Sequence, residues 1–291
     1  VGGSGNGTGD GETLHHFTVD VEEYFQVSAF ERYVSRHEWP LLETRVAVGV
    51  GRLLDLLARH GSRATFFVLG CVAERHPDLV RTIASAGHEI ASHGWGHRRV
   101  TALSPDAFRH SVRRSKQLLE DAAAMPVLGF RAPSFSIVPG LEWALRILVE
   151  EGYRYDSSLF PVRRPGYGYR NGARDPHRLT TPAGDLLEFP PATFRWLGAN
   201  VPAAGGAYLR LLPLALVRAA VRQAERRGAA ATLYVHPWEV DPQQPRLAVP
   251  MLARVRHYGG LRRTLPRLER LLSEFRFRPV RDRVAAVAAA P

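Results

Sequence analysis

His93 and His97 stand four residues apart in Ala91-Ser92-His93-Gly94-Trp95-Gly96-His97, a spacing that puts both imidazoles on one side if the backbone turns between them. Two neutral imidazoles aimed at one point can hold a metal ion. Gly94 and Gly96 weaken a regular helix, so the pair is expected on a tight loop after a strand. In a chain with 12 histidines the spacing alone selects nothing, and two structural histidines are the plain alternative. An acidic strand near the N-terminus strengthens the metal reading: His16-Phe17-Thr18-Val19-Asp20-Val21-Glu22-Glu23. Phe17, Val19 and Val21 alternate with Thr18, Asp20 and Glu22, so Asp20 and Glu22 project to the same side. A solvated edge with both acids in water is the competing reading.

These groups must be positioned by elements that alternate helix and strand. Helical spacing runs from Thr44 to His60 and closes on Gly61. The apolar strand Ala64 to Leu69, the helix Pro77 to Ala86 and a helix from Ser104-Pro105-Asp106 to about Ala124 follow. A short strand, Val127 to Phe130, delivers Arg131-Ala132-Pro133-Ser134; a helix from Leu141 to Glu151 precedes a strand ending on Asp156. Residues 161–182 read as a long loop, Leu186 to Phe189 as a strand, and Ala199 to Gly206 as a glycine-rich connection. A helix from Leu211 to Arg227 leads to the strand Ala230 to Val235, which ends on His236-Pro237-Trp238-Glu239, and Leu261 to Phe275 is the last helix. Polar residues placed where strands end predict parallel strands with helices outside, in a barrel or a wound sheet, and a site at the strand C-termini.

With 291 residues, 45% of them hydrophobic, the chain can bury a full core. Its stretches fall short of the roughly 20 apolar residues of a membrane span. Gly-rich residues 1–13 read as a flexible leader without a secretion signal, and 284–291 as a tail. The net charge of +11 comes almost wholly from arginine, since Lys116 is the one lysine. The arginines are scattered at helix-face intervals, which favours a solvated surface over nucleic-acid binding. The single Cys71 excludes an intrachain disulfide framework, fits a reducing compartment, and is expected buried and inert.

In order along the chain, Thr18-Val19-Asp20-Val21-Glu22, His93-Gly94-Trp95-Gly96-His97, Arg131-Ala132-Pro133, Asp156 and Leu233-Tyr234-Val235-His236 resemble the motifs of the NodB-like polysaccharide deacetylases, carbohydrate esterase family 4. Asp20-Val21-Glu22, Gly205-Gly206-Ala207-Tyr208-Leu209-Arg210 and His257-Tyr258-Gly259-Gly260-Leu261 further resemble deacetylases encoded beside exosortase and exopolysaccharide loci. The resemblance implies an α/β fold, a distorted (β/α) barrel forming a single domain over residues 14–283, with a family-specific C-terminal part from about 160. It implies that Asp20 is the catalytic base, that Arg131 holds it, that His236 is the catalytic acid oriented by Asp156, and that the Ser134 N–H faces the oxyanion. Glu22, His93 and His97 are the implied ligands of a divalent metal, with Zn2+ expected first and Co2+, Ni2+ or Fe2+ as alternatives. Two positions depart from the common pattern: Val21 stands where a second aspartate is usual, so the ligand role passes to Glu22, and Gly94 replaces a small hydroxyl residue.

Such a set can hydrolyse an amide: the metal and Asp20 activate water, Ser134 N–H helps with the oxyanion, and protonated His236 serves the departing amine. Tyr24, Trp95, Trp238, Tyr208 and Arg210 are expected to bind substrate, and Trp196 is a further candidate for sugar stacking; core packing is the alternative for the four aromatics other than Tyr208, and a plain helix entry for Tyr208 and Arg210. The expectation is a cytoplasmic metal-dependent hydrolase acting on N-acetylhexosamine units of an exopolysaccharide or its lipid-linked precursor, with peripheral association at the inner membrane face and no nucleic-acid partner. O-acetyl esters, peptidoglycan or a small cyclic amide are alternative substrates for the same site. A non-catalytic metal-binding or glycan-binding scaffold is the alternative outside enzymology.

Overall fold

Eleven strands and ten α-helices are seen among the described residues of the computed structural model, 13–164 and 166–288, with side chains described to 284. In chain order they are β1 (Leu14–Val21), α1 (Val46–Arg59), β2 (Thr65–Val68), α2 (Gly70–Arg75), α3 (Pro77–Ser85), β3 (Glu89–Ser92), α4 (Pro105–Ala123), β4 (Gly129–Phe130), α5 (Trp143–Glu150), β5 (Tyr155–Asp156), β6 (His177–Thr181) and β7 (Gly184–Glu188). There follow β8 (Thr193–Trp196), β9 (Ala199–Pro202), α6 (Ala207–Leu211), α7 (Leu214–Glu225), β10 (Thr232–Val235), α8 (Met251–Tyr258), α9 (Leu261–Glu274), β11 (Arg276–Arg278) and α10 (Val280–Ala288).

The main sheet runs β10-β1-β2-β3-β4-β5-β7-β6, parallel except for the β6–β7 hairpin, and β11 pairs with the first residues of β1. Parallel bridges Pro191–Thr232 and Gly205–Tyr234 bring the chain beyond β7 against β10, so the sheet curls into a distorted half-barrel. Val19 and Val21 are fully buried, and so, to within 2%, are Asp20 and Glu22. The expected alternation is real in direction, but both faces of β1 are covered, as a parallel strand between outer helices and a filled interior requires.

The helices pack Val50, Leu53, Leu57, Ile83, Val112, Leu119, Ile147 and Val221 onto the outside of the sheet in one continuous core. A smaller cluster of Phe67, Ala91, Tyr155, Phe189, Val280 and Val284 fills the inside. Helix α10 is part of that plug: its Val280 N donates to Thr65 Oγ1 at 2.8 Å and Arg281 N to Glu89 Oε2 at 2.9 Å. The stretch expected as a tail from 284 is therefore helical as far as Ala288, while residues 1–12 of the expected leader and 289–291 lie outside the described residues.

Two expected loops contain strands. Residues 177–181 pair antiparallel with β7, and 199–202 pair with β8, because a partner strand supplies what their weak local pattern lacks. The helix expected over 211–227 is broken at Pro213, giving α6 and α7. Among the described residues no helix is long and apolar enough to cross a membrane.

Candidate metal centre and active site

The C-terminal ends of β1, β3, β4 and β10 open on one cavity of about 630 Å3, lined by Asp20, Glu22, His93, His97, Ser134 and His236 among others. Glu22 lies one residue past β1. Its Oε2 is 2.8 Å from His97 Nε2, and its Oε1 accepts from Trp238 Nε1 at 3.1 Å. His93 Nδ1 is 2.8 Å from the carbonyl oxygen of Arg131. A carbonyl only accepts, so Nδ1 carries the proton and Nε2 is left as a lone-pair donor.

Ligand atoms of Glu22, His93 and His97 all lie within 4.8 Å of one another, and all three side chains are buried. Glu22 Oε2 is buried, and its near neighbour is His97 Nε2, in a contact that lacks hydrogen-bond geometry. A buried carboxylate oxygen clustered with two imidazoles is the donor set that a borderline divalent cation takes, so the residues present fit a metal ion. Burial works against the charged carboxyl of Glu22, yet His97, His236 and His93 around it hold it down at about 2. Burial pushes His93 down to about 4, which keeps its imidazole neutral.

The loop that presents the two histidines is held by serines. Gly94 has a left-handed φ of 75°, which favours glycine, and it carries no hydroxyl of its own. Support comes instead from Ser92 Oγ, accepting from Gly94 N at 3.2 Å, Ser111 Oγ, accepting from Trp95 N at 3.1 Å, and Ser115 Oγ, donating to Gly94 O at 3.1 Å. The last two project from α4.

Asp20 is held by Arg131, whose Nη1 donates to Asp20 Oδ1 at 2.6 Å and to Thr18 Oγ1 at 2.8 Å. The guanidinium is fully buried over the Phe67 ring at 4.1 Å, with Nε and Nη2 donating to Ser157 O and Ser157 Oγ. Every side of it is thus satisfied, and one Asp20 oxygen is free to face the cavity, 4.0 Å from His236 Nε2. The neighbouring acid Glu23 turns away: its carboxylate accepts from Arg45 N at 2.9 Å and Val46 N at 3.2 Å, capping α1. Ser134 lines the cavity at a left-handed φ of 58°, with its hydroxyl bonded to that of Ser28.

The partner of His236 differs from the expectation. Asp156 accepts from Ser158 Oγ at 2.6 Å and from Ser158 N at 3.2 Å, and burial raises it to about 6 beside the buried Glu188. It supports the Arg131 loop, since the same Ser158 Oγ accepts from Ala132 N at 2.8 Å. His236 Nδ1 is instead 2.8 Å from Glu239 Oε2. Burial alone would lower His236, but Glu22, Glu239 and Asp20 lift it to about 9. The i,i+3 spacing of His236 and Glu239, a capping-box pattern, was the available local signal.

Glu239 is in turn paired with Arg210, Nε to Oε1 at 2.6 Å, and against the cost of burial Arg210 and His236 hold its carboxyl at about 2. The remaining donors of Arg210 go to the carbonyls of His257, Gly259 and Arg256. Arg210, expected at the substrate, lines the cavity, but the donors of its guanidinium are engaged by this network. Arg210→Met leaves Glu239 buried without its countercharge and is expected to cost about 3–5 kcal/mol of stability, with part recovered in Arg210→Met/Glu239→Gln. Urea unfolding of the two variants measures it.

The expected aromatic subsites also separate. Trp238 lines the cavity, but it stacks between His236 and His257, with ring centroids at 5.0 and 4.2 Å, and its N–H serves Glu22. Tyr208 lines the wall, its hydroxyl 2.8 Å from that of Tyr167. Tyr24 is 1% exposed in a second apolar cluster with Phe25, Phe30 and Tyr258, behind the wall that Val27 and Ser28 form. Trp95 stacks under Arg114 at 3.5 Å and is outside the cavity; Trp196 is exposed on the β8–β9 hairpin. Cys71, expected buried, is half-buried, and desolvation raises its thiol to about 11, in keeping with an inert thiol.

Residues 47–153 match the family model "Polysaccharide deacetylase", and residues 157–285 match "Domain of unknown function (DUF3473)". A peptidoglycan-N-acetylglucosamine deacetylase of Bacillus cereus is 33% identical over 94 residues, 32% of this chain and 34% of that protein. A chitooligosaccharide deacetylase of Rhizobium leguminosarum bv. trifolii is 40% identical over 72 residues, 25% of this chain and 34% of that protein. The chain thus spans about a third of the length of these curated relatives. A crystal structure described as a putative polysaccharide deacetylase from Mycobacterium smegmatis superposes with a TM-score of 0.66 at 24% identity, covering 97% of this chain and 92% of that one, which shows a common fold. Strand order, the residues at the strand ends and these likenesses agree that the chain carries a polysaccharide deacetylase domain of the NodB-like, carbohydrate esterase family 4 type.

Proposed function

We propose that this chain is a metal-dependent N-deacetylase acting on N-acetylhexosamine units of an exopolysaccharide or its lipid-linked precursor, as one domain from residue 14 to 283. The observation that carries the proposal is the convergence of ligand atoms of Glu22, His93 and His97 within 4.8 Å, all three side chains being buried. A divalent cation held there, Zn2+ being the first choice for one carboxylate and two imidazoles, would supply Lewis acidity toward an acetyl carbonyl and toward water.

The chain's own groups supply the proton transfers. Asp20, one oxygen tied to Arg131, offers its other oxygen as the acceptor of a proton from water. His236, fixed through Nδ1 by Glu239, presents Nε2 to the cavity, where it hands a proton to the departing sugar amine. Ser134, which lines the cavity with a left-handed backbone, is the residue whose N–H would serve the acetyl oxygen as it develops charge. Trp238 and Arg131, by donating to the two acids, keep each in its orientation.

The test is acetate release from N-acetylglucosamine oligomers before and after exhaustive chelation. Activity is expected to vanish with the metal and to return on adding back Zn2+ or Co2+. Turnover that survives with no metal detectable by elemental analysis refutes the proposal.

A further inference from the structure

Charge along the wall of the cavity is one-sided. Its acids, Asp20 and Glu22, are both committed, the first to Arg131 and the second to the histidine centre. Its cations are Arg99, Arg164, Arg210 and Arg256, of which Arg210 is consumed by Glu239. Arg164 and Arg256 have no carboxylate partner among the described residues, although many other arginines of this chain are paired, from Arg45 on Asp241 to Arg227 on Asp175. Arg99 is only partly committed: Nη2 lies 3.0 Å from Glu31, while Nε is buried with no partner.

The two open arginines are held in place by backbone. Arg164 forms an antiparallel bridge with Tyr167, and both line the cavity. Arg256 gives its carbonyl to Arg210 Nη2 at 3.0 Å, so the α8 turn that carries it is tied to the network behind His236. The Tyr167–Tyr208 hydroxyl pair lines the same cavity, a polar surface without charge. A strictly neutral glycan leaves the guanidinium groups of Arg164 and Arg256 at this wall without a carboxylate and Arg99 with Glu31 alone, whereas one anionic substituent could accept from them in forks.

We propose that the cavity selects an N-acetylated glycan bearing a negative charge next to the sugar being deacetylated, with Arg164 and Arg256, assisted by Arg99, as its specificity residues. The shared chemistry is a planar or tetrahedral oxyanion, either a uronate carboxylate or a phosphate at the reducing end. This substrate class rests on the deacetylase reading of the same site.

The experiment compares three N-acetylglucosamine oligomers of equal length: neutral, carrying one glucuronate, and carrying a 1-phosphate. For the wild type, kcat/KM on at least one anionic oligomer is expected to exceed that on the neutral one by about tenfold or more, mainly through KM, and the advantage shrinks as salt is raised. Which anionic oligomer is favoured identifies the source of the charge. In Arg164→Gln/Arg256→Gln that ratio collapses toward one, while Arg270→Gln, an exposed control on α9, leaves it in place. Equal kcat/KM for all three oligomers, or a ratio unchanged in the double variant, overturns the proposal. Calorimetric binding of the same oligomers separates the two readings. If no oligomer releases acetate, the deacetylase reading fails, and a preference for the anionic ligand that needs Arg164 and Arg256 still decides this one.

Discussion

Asp20→Asn is expected to lower kcat by about 10²–10⁴-fold while KM and metal content stay near those of the wild type. Asparagine keeps an oxygen for Arg131 Nη1, and Arg131 retains Thr18 Oγ1, Ser157 O and Ser157 Oγ, so the local geometry holds. What is lost is the acceptor for a proton. Asp20 is not in the group formed by Glu22, His93 and His97, and metal retention by the variant separates the base from the ligands. Single-turnover rates with elemental analysis of the same sample measure both. A variant that keeps most of its rate assigns proton transfer to another group, and one that loses its metal makes Asp20 a ligand.

His93→Ala is expected to lose the metal and, with it, several kcal/mol of transition-state stabilisation, about three decades in rate or more. The substitution also removes the donor to the Arg131 carbonyl, which is expected to destabilise the fold by about 1–3 kcal/mol, so thermal unfolding is measured alongside activity. His97→Ala breaks the set without touching that carbonyl. Loss of metal and turnover in both variants, with His97→Ala still folded, supports the three-residue centre. Stoichiometric metal in both would place the cation elsewhere.

These two predictions rest on residues picked out by motif order. Much of the scaffold beneath them was also readable. The helices at 46–59, 77–85 and 105–123 appear where 3.6-residue spacing, a Ser-Pro entrance and glycine exits predict them, because those signals are local. Strands β6 and β9 are not legible in the sequence because their local pattern is weak, and each is made by its antiparallel neighbour. Asp156 and Glu239 mark the boundary more sharply. Both are acids near a strand end, and motif resemblance favoured the first as the partner of His236. Only the folded chain shows Asp156 turned to Ser158 and Glu239 on Nδ1.

By itself the sequence determined the α/β alternation, the placement of polar residues at strand ends, and the acid and histidines able to share a cation, because hydrophobic period and residue chemistry are written in order along the chain. Tertiary structure alone decided which carboxylate serves His236, that Arg210 is the buried partner of Glu239, that Trp95 and Tyr24 lie away from the cavity, and that Arg164 and Arg256 have no carboxylate partner among the described residues at its wall. Those outcomes depend on which side chains reach each other across curled strands and outer helices. Burial then forces polar groups brought together in this way to pair, whatever their separation in sequence.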